Sequence, residues 1–271
     1  MQIAQVSSGR IRNSEGIRKS VGKLKEWLAK SSPAINARLA GFLYLISGMA
    51  YSYADGNVHG KILVSGDAAA TAHNILTNGR LLQLSFASNL VSFVLYIAVT
   101  LLLYELLKPV NWSISLLAAF FSMAGCVIGA AGSFFTIAPL TILGGATYLS
   151  AFKAEQLQAM ALLSLNMIAV VASISMVFFG CYCILLGYLI LRSTFMPRII
   201  GAFLIVAGLT YQLFLSPPLA ANYFSHFVMP AGALGEGSLI LWLLIFGVNS
   251  QRWRQQAGAA GEYGTFSGAE S

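Results

Sequence analysis

Four long stretches of the chain carry no Asp, Glu, Lys or Arg: Leu81 to Tyr104, Val110 to Phe152, Gln156 to Leu191 and Ile199 to Gly235. A hydrocarbon core about 30 Å thick is crossed by about 20 apolar helical residues. In lipid a helix satisfies its own backbone polar groups, which an open strand cannot do. The chain therefore reads as all-α, a polytopic bundle of transmembrane helices. Of its 271 residues 57% are apolar and 9% charged, with a mean hydropathy of +0.74. Soluble domains carry about 25% charged residues, and a chain of this size cannot hide so much apolar surface from water.

The charge that remains is segregated. Residues 1–38 hold eight cations against Glu15 and Glu26, so the leader contributes +6 of the net +7. Beside a membrane span such a patch points to topology and anionic lipid rather than nucleic acid. Within it residues 14–30 read as an amphipathic helix. Ile17, Val21, Leu24, Trp27 and Leu28 form one stripe, with Arg18, Lys19 and Lys23 among the cations around it. A helix of this kind lies in the headgroup plane, the alternative being a cytosolic helix packed on the inner loops.

Six spans are predicted, at 35–54, 81–106, 112–136, 160–191, 199–216 and 228–248. With both termini in the cytoplasm, thirteen cations fall inside and three (Lys61, Arg80, Lys153) outside. Splitting 112–149 into two spans worsens the balance to ten against six. Residues 137–150, with Pro139 and Gly144-Gly145, are then expected as a re-entrant or interfacial piece. The threading divides the chain into a basic segment 1–34, a membrane domain 35–248 and a tail 249–271. The tail is rich in Gly, Ala and Ser and is expected to be disordered and cytoplasmic. Residues 55–80 are the longest polar connection, on the outer face. The protein is expected in the plasma (inner) membrane, with the positive-inside bias setting its orientation. Arg38, Arg192 and Arg198 at inner helix ends suit lipid phosphates or a partner.

Residues 37–53, ARLAGFLYLISGMAYSY, align with 197–213, PRIIGAFLIVAGLTYQL. Arg38 matches Arg198, Gly41 matches Gly201, Gly48 matches Gly208 and Tyr51 matches Tyr211. Glycines seven apart share a helix face and admit close packing. The pattern has two explanations, duplication of a parallel unit or convergence on the same packing device. Gly125 and Gly129 form a G-x-x-x-G pair followed by Gly132, which reads as close packing within the bundle or between protomers.

The segments RLAGFLYLI, LLLYELLKPVN, GCYCILLGYLILRSTFMPRIIGAFLIVAGLTYQL and GEGSLILWLLIFG resemble the bacterial membrane family catalogued as domain of unknown function 4386. The likeness spans about residues 35–248. It implies a multi-pass fold and assigns no reaction, cofactor or site residue.

Glu236 is the leading site candidate. It stands about 18 Å from the inner end of the last span, where a carboxyl is costly and marks a functional site by default. At that depth it is expected neutral or as a proton carrier. Tyr51, Asn89, Tyr211 and Gln212 stand at similar heights and would form a polar layer around it. The plainer reading is a carboxyl serving as hydrogen-bonding glue between helices. His59, His73 and His226, with Asp55 and Asp67, fall on the outer side, but their spacing matches no metal motif. Cys126, Cys181 and Cys183 lie inside predicted spans, and an odd count offers no disulfide framework. No nucleotide-binding, zincin, serine-hydrolase or haem-attachment motif is present.

Three functions stay open. The first is a non-enzymatic accessory, sensor or assembly component, with lipid and a membrane protein partner or a second copy as its contacts. The second is a small proton-coupled carrier using Glu236. The third is an intramembrane enzyme acting on a lipid or isoprenoid. No cofactor is implied by any motif.

Overall fold

A computed structural model describes residues 32–266, and over them the chain is helical with no strand. The amphipathic segment 14–30, with Arg18, Lys19 and Lys23, lies outside the described residues. Helix α1 (Pro33–Asn57) starts on a proline, whose fixed φ suits a first turn. A short wide turn, Val58–Ile62, leads to α2 (Ala68–Thr77). Asp67 caps α2, its Oδ1 accepting from the Ala70 N–H at 2.8 Å. Helix α3 (Gly79–Leu107) gives way before Pro109. Asn111 opens α4 (Trp112–Gly132), accepting from the Ile114 N–H at 2.9 Å. After Ser133 the chain continues as α5 (Phe134–Leu143), then turns into α6 (Ala154–Arg192). Helices α7 (Arg198–Tyr211), α8 (Pro217–Tyr223), α9 (Met229–Ile245) and α10 (Ser250–Phe266) complete the order.

Five segments are long and apolar enough to cross a membrane: 79–107, 112–143, 154–192, 198–215 and 218–245. Helix α1 is long enough at 25 residues, yet its Gly, Ser, Asn and Tyr content leaves it outside that set. It still belongs to the bundle. Ser32 Oγ lies 3.4 Å from Ser250 Oγ, so α1 begins where α10 begins and the chain traverses the bundle an even number of times.

The six long helices form a ring in chain order, α1, α3, α4, α6, α7, α9, with α9 returning to α1. Polar cross-links or glycine contacts join each neighbouring pair. Ser47 Oγ donates to the Ser92 carbonyl and Ser92 Oγ donates back to Ser47, each at 2.9 Å, linking α1 to α3. Thr100 and Ser122 hydroxyls meet at 2.6 Å between α3 and α4. Ser175 Oγ donates to the Gly125 carbonyl at 2.8 Å between α6 and α4. Helices α6 and α7 pack through glycine, Gly187 on Gly201 and Gly180 on Gly208. Toward the end where α1 begins, Leu103, Leu107, Leu189, Leu239 and Leu243 are buried and close the ring.

Three segments differ from the sequence expectation. Residues 134–143 do not fold back: α5 prolongs α4 and stays alongside α6. Pro139 cannot donate to the carbonyl four residues earlier, and Ser164 of α6 donates to that oxygen, on Phe135, at 3.2 Å. The connection 55–80, expected as a polar loop, is largely helical. Val58, Ile62 and Ile75 pack with Leu82, Ala161 and Leu165 in a second small core. The tail is helical over Ser250–Phe266. Gly247, at φ +67°, turns the chain there. Trp253 Nε1 donates to the Leu106 carbonyl at 2.8 Å, and Gln256 Oε1 accepts from the Thr194 N–H at 3.0 Å.

A Cβ on Gly208 would stand 2.6 Å from the Gly180 carbonyl oxygen and 2.9 Å from the Ile184 nitrogen, both backbone. Gly208→Val is expected to cost about 1–3 kcal/mol, read as a lower unfolding temperature in detergent. Gly48→Ala, where nothing lies within 4 Å, is expected to leave that temperature unchanged or raise it. Equal losses at both positions would contradict this packing.

Candidate functional site

Glu236 lies on α9 between its two ring neighbours and is partly buried. Its Oε2 accepts from the Tyr44 hydroxyl of α1 at 2.5 Å, and its Oε1 accepts from the Tyr211 hydroxyl of α7 at 2.6 Å. One carboxylate thus bridges three helices. The Tyr44 hydroxyl also meets that of Tyr96 on α3 at 3.0 Å, and their rings stand edge to face, centroids 5.0 Å apart. Tyr211 reaches α9 because residue 232 is glycine: a Cβ there would sit 2.4 Å from the Tyr211 hydroxyl oxygen.

Beside this group is a cavity of about 170 Å³. It runs from Tyr44, Tyr96 and Glu236 along α1 to Tyr51 and along α3 to Asn89. Phe93, Phe179 and Val171 wall it, and Glu236 is its one charged lining side chain. Gly48 is exposed and shares the helix face of Tyr44 and Tyr51, four and three residues away. The space is a consequence of register. A Cβ on Gly41 would meet the Leu243 Cβ at 2.9 Å. Seven residues further along these antiparallel helices, Gly48 comes level with Glu236. Neither Gly48 nor Gly237 would find an atom within 4 Å of an added Cβ. The α1–α9 seam is therefore closed at Gly41 and open at Gly48.

Of the residues singled out from the sequence, Tyr211 bonds Glu236 directly. Tyr51 and Asn89 line the cavity without bonding it, and the Asn89 Oδ1 is buried with no hydrogen-bond partner. Gln212 points away: its Nε2 donates to the Val177 and Gly208 carbonyls, each at 3.3 Å, on the α6–α7 seam. Tyr44 and Tyr96 were not singled out. The available signal was spacing, since Tyr44 lies seven residues before Tyr51 on the same face. The G-x-x-x-G pair packs inside the bundle, Gly125 receiving the Phe179 ring and Gly129 the Phe93 ring, so these glycines make room for the cavity walls.

The remaining candidates lie apart. Arg38, Arg192 and Arg198 are exposed toward the end where α1 begins. Among the described residues no group of three His, Cys, Asp or Glu side chains is placed to hold a metal. His59 instead pairs with Asp55, Nδ1 to Oδ1 at 3.1 Å. The Asp55 side-chain hydrogen bond holds the His59 pKa above its ordinary value, against the opposing effect of partial burial.

The family described as "Domain of unknown function (DUF4386)" matches residues 39–247, from the first turns of α1 to the glycine that ends α9. This chain belongs to that family. No curated protein and no solved structure matches it. The family match covers all six ring helices of this DUF4386 member and stops before α10. With its long apolar helices, the chain is an integral membrane protein of unknown activity.

The contact of Gly232 with Tyr211 predicts a coupled pair. Gly232→Ala should displace the hydroxyl from Glu236 and lower stability by about 1–3 kcal/mol. In a Tyr211→Phe background the clashing oxygen is gone, so the same change should cost little. A double-mutant cycle on thermal unfolding reads the difference, and strictly additive losses would refute the arrangement.

Proposed function

We propose that this DUF4386 member is a non-enzymatic binding protein of the plasma (inner) membrane, an accessory, sensor or assembly component whose ligand occupies the cavity beside Glu236. The observation that carries the reading is a single carboxylate set in the wall of a preformed, mostly apolar cavity. Ligand sites combine such walls with a few convergent polar groups. Two phenols already donate to the carboxylate oxygens, which suits a fixed recognition charge better than a free base. Six crossings with both termini in the cytoplasm fit the cations at the end shared by the termini, among them Arg38, Arg192, Arg198 and Arg252. Those side chains, with the basic leader, suit anionic headgroups.

Full-length protein purified from its host membrane should carry a non-covalent small molecule in native mass spectrometry. Gly48→Phe, which fills the cavity from α1, should release it. A molecule held equally by both proteins, or by neither, overturns the reading.

A second reading, a proton-coupled carrier, is favoured by the one-sided shape of the bundle. The leucine layer seals it toward the termini, while the cavity reaches the other way to Tyr51 and Asn89. Glu236 would then exchange a proton with each cycle. In proteoliposomes with an entrapped pH dye, Glu236→Gln should abolish proton movement under an imposed gradient. Wild-type protein that moves no more protons than the variant would eliminate the carrier.

A further inference from the structure

We infer that the ligand of this cavity is a small organic cation, an alkylammonium group; this rests on the binding reading above. Five aromatic side chains line the space beside Glu236: Tyr44, Tyr51, Phe93, Tyr96 and Phe179. Aromatic faces carry negative potential and attract ammonium groups, and the attraction strengthens when water is excluded. The lining includes no Lys, Arg or His. Among the described residues Glu236 forms no ion pair, its partners being the hydroxyls of Tyr44 and Tyr211. The site thus sets a carboxyl group among aromatic side chains with no resident cation beside it.

The space matches the chemistry. A volume of about 170 Å³ corresponds to roughly five or six water-sized groups, which suits a substituted ammonium head and excludes a bulky one. The cavity also rests on glycine at Gly48, level with Glu236. At the equivalent height of the α6–α7 seam, Gly208 is filled by the backbone of Gly180. Where that seam is closed by backbone, the α1–α9 seam holds a carboxylate and room beside it.

The probes are tetramethylammonium and butylammonium, with tert-butanol and butanol as neutral counterparts of similar size. Binding to full-length protein in detergent is followed by calorimetry and by the rise in unfolding temperature. The cations are expected to bind about ten-fold or more tightly than their neutral counterparts. Glu236→Gln should remove that preference, and Gly48→Phe should remove binding of all four. Should Glu236→Gln fail to fold, Tyr51→Leu serves instead, weakening the cations while sparing the alcohols. Neutral probes that bind as well as the cations, and are displaced by Gly48→Phe, overturn the charge inference while leaving the cavity as a ligand site. Failure of every probe to bind also overturns it.

Discussion

The ring of helices closes on one carboxylate. Helix α9 is the last long helix of the bundle and must meet both α7, its predecessor, and α1, the first. Glu236 joins it to each with one oxygen, through Tyr211 and Tyr44. Both bonds are short, at 2.5 and 2.6 Å, and an apolar surrounding raises the strength of a hydrogen bond. The other seams use weaker devices. Serine and threonine bonds link α1, α3, α4 and α6, while backbone contact between glycines joins α6 to α7. Lipid gives helices little hydrophobic reason to associate, so packing and polar cross-links must hold them. The strongest cross-link therefore sits at the seam that turns an open row of helices into a ring.

That role as glue does not exhaust the residue. A carboxyl used only to tie helices would be best enclosed, with its neighbours packed against it. Here the seam opens beside it. Gly41 brings α1 onto α9 within contact distance, yet Gly48 and Gly237 face empty space. The tyrosines that hold the carboxylate belong to the same wall as Phe93 and Phe179, whose rings are accommodated by Gly129 and Gly125. Glycines in this bundle thus serve two opposite ends. Some bring backbones together, and others leave room beside the carboxyl group.

The sequence disclosed the helices because charge-free blocks have one physical outcome in lipid. It disclosed Glu236 because a lone carboxylate in such a block is conspicuous, and Tyr211 because the repeat singled it out. Tyr44 and Tyr96 escaped because span helices here are apolar almost all round. With little amphipathic contrast, nothing tells which face of α1 or α3 looks inward. Gln212 was misplaced for the same reason: depth was readable and direction was not. One step along a helix is about 100° of rotation, so Gln212 turns to α6 while Tyr211 turns to α9. The tail's low-complexity composition suggested disorder, but Trp253 finds a carbonyl in the last turn of α3 and Gln256 a hydroxyl on the loop between α6 and α7. Such tertiary contacts leave no local signature.

The repeated motif acquires a spatial meaning in the ring. Gly41 packs on α9 and Gly201 on α6, so each first helix of a hairpin rests its glycine on the helix preceding it around the ring. Sterics account for Gly41, Gly201 and Gly208 without reference to ancestry, since a Cβ at any of them would meet atoms of a neighbouring helix, backbone among them, at 3.0 Å or less. Sterics do not account for Gly48. A helix interior is about 1 kcal/mol more stable with alanine than with glycine, and alanine would clash with nothing there. Glycine at that position costs stability and contributes only room. Room level with a partly buried carboxyl serves the molecule only when something else comes to fill it.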